Sequence, residues 1–193
     1  MKKSHIKHHI PVLLASIALL LSCSCATKVN VSETLQIPEG TKLYTAYNIW
    51  KTGYWKISSI NYQHGSVIPF GTEVKVISVT QRTVKLKCVP SGIPLTIRYH
   101  EKYTLQSMSE FLKKLLTTKN RQEQAKGIKP EILASILDGK VKKGMTRREV
   151  ILTCGPPSPH RTPSQTNTTW IYWKSRWSTF RVIFRKDKVI EIL

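Results

Sequence analysis

The histidines and carboxylates set the limits on what catalysis this sequence could support. His64, His100 and His160 are far apart in the chain, and each is predicted to be a surface or capping residue, not a general base. The 11 acidic residues form no paired carboxylates of the kind used in acid–base catalysis. The G-x-S-x-G, H-E-x-x-H and glycine-rich phosphate-loop motifs are also missing from the sequence. We therefore expect no enzymatic activity and no cofactor.

Cys23 lies in the sequence context of a lipid-modified cysteine. A basic segment over residues 1–10 precedes an apolar run over residues 12–21. This run is about half as long as a membrane-spanning helix requires, and it fits the core of an export signal. The four residues 20–23, Leu-Leu-Ser-Cys, resemble the lipobox cleaved in bacterial lipoproteins. We expect cleavage before Cys23 and acylation of its thiol, and the alternative is cleavage near Ala26 without lipid.

The residue after this cysteine predicts the destination of the protein. Ser24 is not acidic, which in Gram-negative lipoproteins is typical of transport to the outer membrane. Two acyl chains on Cys23 would give the stable anchoring that one chain cannot provide. The predicted localisation is the outer membrane, with the folded part facing the periplasm.

The other cysteines are Cys25, Cys88 and Cys154, an odd number that leaves at least one thiol unpaired. Cys88 lies in an alternating strand pattern and Cys154 at a helix end, so both are predicted to be small buried apolar residues. A Cys88–Cys154 disulfide is the alternative. No cysteine pair has the spacing of a zinc site, so no metal is predicted.

The charge of the chain favours anionic partners. The formal net charge is +20, and removal of residues 1–22 would leave 28 basic and 11 acidic residues, a net charge of +17. Such a field attracts anionic lipid surfaces, acidic glycans, acidic proteins or nucleic acid. We expect the membrane and an envelope protein as partners, with an anionic lipid surface as a further candidate. Nucleic acid is disfavoured because an exported protein rarely meets it.

The pattern after the signal predicts a tether and then a β module. Residues 23–42 are assigned to the tether, and residues 43–103 alternate apolar and charged positions between turn signals such as Gly71-Thr72 and 90–92. Period-2 alternation indicates antiparallel strands that are buried on one face. About five short strands with regular turns predict a small barrel or strongly bent sheet, with residues 43–50 forming its first strand.

The remaining chain changes to helical periodicity. Apolar residues at steps of three and four predict one connecting amphipathic helix over residues 104–127, which ends at Gly127. Pro130 suits the first turn of the next helix, and Thr146 with Glu149 has the spacing of a capping box. Gly155 before two prolines ends that helix, and three strands follow. The predicted fold class is α+β, and the C-terminal order is helix, helix, strand, strand, strand.

Five short motifs occur in the C-terminal region in a characteristic order. They are residues 141–150 (VKKGMTRREV), 154–157 (CGPP), 170–172 (WIY), 182–184 (VIF) and 189–190 (VI). Together they resemble the BamE/SmpA family of outer-membrane assembly lipoproteins over residues 130–193, about a third of the chain. The resemblance implies two helices on a three-stranded antiparallel sheet, used as a binding scaffold. Two departures are Cys154, where the family has Leu, and the large β module.

The connection between the first two C-terminal strands is a candidate contact surface. Trp173, Arg176 and Trp177 lie on or beside this short hairpin turn. Tryptophan and arginine are over-represented in protein interfaces. We predict that these three residues contact a partner, whereas most of the buried aromatic residues of residues 128–193 build the BamE-like domain itself.

Two functions follow from these observations. The first is a lipid-anchored, periplasm-facing scaffold protein of the cell envelope, in outer-membrane assembly or integrity. The second is a lipoprotein whose β module binds cell-wall glycan or peptide. Deletion of residues 43–100 is expected to leave the partner complex intact in the first case and to abolish cell-wall retention in the second.

Overall fold

The computed structural model describes residues 29–53 and 56–193. The predicted signal peptide, the predicted lipidation site Cys23 and Cys25 lie outside these residues. The described part is a mixed α+β structure with one curled sheet of six strands, two smaller sheets and several short helices. None of these described helices is long and apolar enough to cross a membrane.

The six-stranded sheet forms a half-barrel from the β module. Its strands lie in the order β3-β7-β6-β5-β1-β8. Their bounds are β1 Leu43–Thr45, β3 Lys56–Ser58, β5 Glu73–Val79, β6 Thr83–Cys88, β7 Pro94–Arg98 and β8 Leu116–Thr117. The alternation predicted for β6 is observed, since Val84, Leu86 and Cys88 point inward and are buried. The predicted antiparallel arrangement is wrong for β3, which pairs with β7 in parallel.

The half-barrel is filled by helices on its concave side. Helix α1 is Val31–Leu35, α2 is Glu101–Thr104 and α3 is Met108–Leu115. Phe111, Leu112 and Leu115 of α3 are buried in the first core together with the inward residues of the strands. Residues 29–37 belong to the folded structure, because Val31 and Leu35 pack against this core. The tether predicted over residues 23–42 is therefore wrong from Val29 onward.

The single helix predicted over residues 104–127 is also wrong. Helix α3 ends at Leu115, the next two residues form β8 beside β1, and α4 is Arg121–Ala125. Two capping boxes mark separate helix starts, Ser107 with Glu110 and Asn120 with Glu123. The helical spacing of apolar residues includes Leu116. The backbone of Leu116 is nevertheless extended, because it pairs with the edge of β1 as part of β8.

The strand predicted over residues 43–50 is divided in two. Strand β1 belongs to the half-barrel, whereas β2, Ile49–Lys51, pairs with β4, Ser66–Ile68, in a two-stranded sheet. Between them the backbone N–H of Ala46 donates to Leu115 and that of Asn48 donates to Leu152. This segment passes from the first core to the second, so its hydrogen bonds go to two different parts of the molecule.

The C-terminal part has the predicted order of elements. Helix α5 is Pro130–Leu137 and α6 is Arg147–Cys154, followed by β9 Thr169–Trp173, β10 Thr179–Arg185 and β11 Lys188–Ile192. The antiparallel sheet has the order β11-β10-β9. The predicted capping box at Thr146 is confirmed, because its hydroxyl accepts from the Glu149 N–H and the Glu149 carboxylate accepts from the Thr146 N–H at 2.6 Å. Pro130 is the first residue of α5, as predicted.

The second core lies between these helices and this sheet. Trp170, Tyr172, Val182 and Phe184 are buried on one face of the sheet, as their alternation predicts. Phe70 reaches the same core from the β module and is fully buried there. The prediction of buried cysteines is confirmed, since Cys88 lies in the first core and Cys154 in the second as free thiols. The alternative disulfide between them is not formed.

The two cores meet at a junction that contains buried asparagines. Asn48 is fully buried, and its side-chain amide donates to the Ile136 carbonyl at 2.5 Å while its side-chain oxygen accepts from the Phe70 N–H at 2.9 Å. The Asn61 amide donates to the backbone carbonyls of Asn48 and Cys154, each at 2.9 Å. Deletion of residues 43–100 would leave the Ile136 and Cys154 carbonyls without these donors, so the β module is not an independent unit.

Two glycines allow the backbone to pack closely against aromatic rings at the junction. Gly139 follows α5, and a Cβ added there would lie 2.4 Å from the Trp50 ring. Gly155 follows α6, and its Cβ would lie 3.0 Å from the Tyr47 ring. Both have a positive φ. The two glycines therefore let two aromatic rings of the β module approach the backbone after α5 and α6.

Candidate contact surface

The hairpin between β9 and β10 presents the predicted contact residues. The chain reverses over residues 174–178, where the backbone N–H groups of Lys174 and Ser175 donate to the Ser178 carbonyl at 2.8 and 3.1 Å. Trp173 pairs with Thr179 at the base of this loop. The hairpin therefore projects Arg176 and Trp177 beyond the end of the three-stranded sheet.

Arg176 and Trp177 form a stacked pair at the tip of the hairpin. The guanidinium carbon of Arg176 lies 4.6 Å from the centre of the Trp177 ring. Trp177 is 83% exposed, although an indole of this size normally gains stability from burial. The guanidinium and the indole thus present one cationic and one apolar group side by side to solvent.

Trp173 has a different environment from Trp177. It lies at the end of β9, is half-buried, and points away from the second core because Tyr172 points into it. The guanidinium carbon of Arg161 lies 5.6 Å from the centre of the Trp173 ring. The Trp173 carbonyl accepts from the Gln63 N–H at 2.8 Å. Trp173 therefore joins the hairpin to two other segments, whereas Trp177 extends from it.

Aromatic residues from other elements surround the hairpin. The Tyr103 ring of α2 lies edge-on to the His160 ring, with centres 5.7 Å apart. Burial raises the pKa of Tyr62, the neighbouring Tyr103 raises it further, and the Arg176 guanidinium lowers it. The Gln63 N–H donates to the Trp173 carbonyl, so the neighbouring Tyr62 also lies beside the hairpin.

We call these residues together the hairpin surface. It consists of Tyr62, Tyr103, His160, Arg161, Trp173, Arg176 and Trp177. Its members come from the segment after β3, from α2, from the proline-rich loop after α6 and from the hairpin. The sequence indicated the three hairpin residues, but it gave no local signal for the other four, because they are brought together only by the junction of the two cores.

Arg147 positions the proline-rich loop that carries His160 and Arg161. Its guanidinium donates to the backbone carbonyls of Gln165 and Asn167 at 2.7 and 2.8 Å and to Asp187 at 2.7 Å. The same group lies over the Phe184 ring, 4.4 Å from its centre. Ser158 adds a hydrogen bond to the Tyr103 carbonyl at 2.6 Å. The loop is therefore fixed at several points, although it has no regular secondary structure.

The hairpin surface is positively charged. No Asp or Glu occurs in residues 150–186, the stretch that supplies Arg161, Arg176 and the proline-rich loop. The surface therefore offers cations and aromatic faces to an anionic or apolar contact, and it offers no general base of its own beyond the exposed His160 ring.

The described residues show no cluster suited to metal binding. Within residues 29–53 and 56–193, no group of three or more His, Cys, Asp or Glu side chains could hold a metal ion. The thiol of Cys154 is fully buried, and burial raises its pKa far above the usual value. Burial also raises the pKa of Cys88. Both thiols therefore remain protonated near neutral pH and are poor nucleophiles.

Comparison of the chain with protein-family models, with curated proteins and with solved structures returns no match. The resemblance to the BamE/SmpA family therefore depends on the order of the sequence motifs alone.

Proposed function

We propose that the protein is a lipid-anchored, non-enzymatic scaffold of the bacterial cell envelope that docks a partner protein through the hairpin surface. The observation that carries this proposal is the stacked Arg176–Trp177 pair, whose indole is 83% exposed at the tip of a hydrogen-bonded hairpin. Arginine and tryptophan are the residue types that most often dominate binding energy in protein interfaces.

The rigid support of the surface favours this role. A binding site gains affinity when its contact residues are ordered before the partner arrives, because less entropy is lost on association. The hairpin is held by its cross-strand hydrogen bonds, and the proline-rich loop is held by Arg147. The exposed pair thus projects from a surface that is fixed on both sides.

The envelope setting of the proposal comes from the sequence. The lipobox-like residues 20–23 support a lipid on Cys23, and the resemblance of residues 130–193 to the BamE/SmpA family supports a role in outer-membrane assembly or integrity. Metabolic labelling with a palmitate analogue tests the anchor directly. Label is expected on the parent chain and on Cys25→Ala, and its loss is expected on Cys23→Ala. Label that persists on Cys23→Ala would contradict the assignment of the lipid.

A photo-crosslinking amino acid at position 177 of the full chain tests the contact itself. We expect crosslinks in cells to a discrete envelope protein, because the side chain at 177 is directed outward. The matched control carries the same amino acid at Ser109, an exposed position of α3. Equal crosslinking at both positions, or no adduct at 177, would contradict docking through the hairpin.

Ligand recognition by the β module is the second candidate function. An open, mainly apolar groove of about 680 Å³ lies between the two-stranded sheet and α4, with Tyr44, Ile68 and Arg121 among its lining residues. A groove of this size suits an extended peptide or a short glycan. The same crosslinker at Ser91, which also lines the groove, would then label cell-wall fragments, whereas the scaffold function predicts no such adduct.

A further inference from the structure

The outward face of β5, β6 and β7 carries an unusual set of charges. Lys75, Lys85, Lys87 and Arg98 are all exposed on these three strands, and we call them the basic sheet face. Lys75 on β5 lies directly opposite Lys87 on β6. Like charges directly opposite each other in a sheet are destabilising, so this arrangement has an energetic cost in the isolated protein.

The only carboxylate on these three strands is Glu73 at the start of β5, and it pairs with Lys42 at 3.9 Å. Residues 74–100 contain no Asp or Glu. Among the described residues, the ion pairs formed by side chains involve Lys42, Lys140 and Arg147, none of which belongs to the basic sheet face. An external anionic surface would convert the repulsion into attraction.

Exposed apolar side chains adjoin these cations. Ile77 is 56% exposed and Val89 is 50% exposed, and both line an open groove of about 570 Å³ that Lys75 also lines. An apolar centre with lysines around it is the composition of surfaces that lie at the headgroup level of a bilayer, where apolar groups enter the interface and ammonium groups contact phosphates.

The point where the chain enters the fold lies at the same groove. The Val29 N–H donates to the Val79 carbonyl at the end of β5 at 3.1 Å, and Val29 lines the groove with Ile77. Only residues 24–28 separate Val29 from Cys23. Even fully extended, this link spans about 20 Å, which is comparable to the length of β5. A lipid on Cys23 would therefore keep β5 within reach of the membrane.

From these observations we infer that the basic sheet face, with Ile77 and Val89, lies on the anionic headgroups of the bilayer that holds the lipid anchor. This inference rests on the proposed anchoring at Cys23. The bound occupant is a phosphate-bearing lipid surface, because the short link brings that surface to this face and because lysines opposed across strands find their counter-ions there. The hairpin tip with Arg176 and Trp177 extends from the sheet of the second core and is left available for a partner.

Lysine acylation of the mature lipidated protein in vesicles tests this inference. The protein is reconstituted in zwitterionic phosphatidylcholine vesicles and in vesicles with about a third phosphatidylglycerol, and the reaction at each lysine is followed by mass spectrometry. In the anionic vesicles we expect Lys75, Lys85 and Lys87 to react roughly fivefold more slowly than in the zwitterionic ones, because headgroup contact shields them. Lys129, Lys142 and Lys143, exposed near the second core, serve as internal controls with unchanged rates.

A matched pair of variants and a salt titration sharpen the result. The triple variant K75Q/K85Q/K87Q should release Ile77 and Val89 from the bilayer, seen as the loss of quenching by brominated lipid of a fluorophore at position 77. The control K129Q/K142Q/K143Q removes the same charge and should retain quenching. About 1 M salt, where the Debye length falls to about 3 Å, should restore most of the lysine reactivity.

The outcomes separate the failure of this inference from failure of the anchor. The intact mass of the same preparation reports whether Cys23 carries lipid. A lipidated chain whose six lysines react alike in both kinds of vesicle would overturn the basic sheet face as a membrane contact and leave the anchor untouched. Protection that appears only after envelope proteins are added would also overturn it, in favour of an acidic protein partner.

A chain without lipid would contradict the anchor and this inference with it, whereas crosslinking at position 177 reports on the hairpin surface independently.

Discussion

The junction and the hairpin surface both contain polar and aromatic residues, but the junction buries these side chains, whereas the hairpin tip exposes them to solvent. At the junction, Asn48 is fully buried, and its side-chain oxygen and amide each have a backbone partner. At the hairpin tip, Arg176 and Trp177 stack on each other and face solvent. Folding accounts for the first arrangement, because the hydrogen bonds of Asn48 stabilise the contact of the two cores. It does not account for the second, which leaves a large indole in water.

Substitutions in the two regions should therefore differ in their effects on stability and on binding. A junction variant should lose stability, and it should lose binding only because the fold is lost. A hairpin variant should retain stability and lose binding.

Asn48→Ala should have the largest effect. It leaves the Phe70 N–H buried without a partner, which costs about 1–3 kcal/mol, and the Ile136 carbonyl keeps only the Gly139 N–H as a donor. We expect the free energy of unfolding in urea to fall by about 2–4 kcal/mol. The control Asn167→Ala, at an exposed position, should change it by less than about 0.5 kcal/mol. A value for Asn48→Ala that matches this control would show that the junction does not hold the cores together.

Arg147→Ala should have the next largest effect. It removes hydrogen bonds to Gln165 and Asn167 and the contact with the Phe184 ring. We expect a loss of about 2–3 kcal/mol, with Arg147→Lys in between because an ammonium cannot reproduce the planar fork of donors. Arg181→Ala, an exposed change on β10, is the control. Hydrogen exchange should become faster in residues 158–168, and unchanged exchange there would contradict the positioning role of Arg147.

The two hairpin tryptophans should differ from each other. Trp173→Ala removes a half-buried ring that contacts Arg161, so we expect a loss of about 1–2 kcal/mol. Trp177→Ala removes an exposed ring and should change the free energy of unfolding by less than about 0.5 kcal/mol. Similar losses for the two variants would mean that Trp177 is part of the folded structure and not reserved for a partner.

The smallest predicted effect is a pH dependence from His100. Burial lowers the pKa of this side chain below its usual value, and the nearby Arg98 lowers it further. The unfolded chain therefore takes up a proton more readily than the folded one, so stability should fall as the pH drops below about 6.5. His100→Gln should flatten this dependence in urea titrations between about pH 7 and 5. An unchanged slope would assign the dependence to other groups.

Local chemistry explains which parts of the fold could be predicted from the sequence. The capping box at Thr146, Pro130 at the start of α5 and the alternation in β6 depend on residues a few positions apart, and all three are observed. The break of the helix at Leu116 depends on an open strand edge at Tyr44 and Thr45, far away in the chain. Periodicity alone contains no information about such a distant partner.

The residues of the candidate site also differ in whether the sequence could predict them. Trp173, Arg176 and Trp177 were identified because they lie within five residues of one hairpin turn. Arg161 and Tyr62 could not be, because they reach the hairpin through loops whose positions depend on Arg147 and on the junction. A buried asparagine such as Asn48 looks like an ordinary polar position within a strand pattern, and its partner Ile136 is 88 residues away.

The most direct test of the account is affinity capture from envelopes with the full-length Arg176→Ala/Trp177→Ala variant beside the parent protein. Both changes lie on the exposed loop, so the unfolding midpoint should be unchanged, while recovery of the envelope partner should fall at least about tenfold. An Ser109→Ala variant should capture the partner like the parent. Full capture by the stable double variant would contradict the central claim that the hairpin surface is where this protein docks its partner.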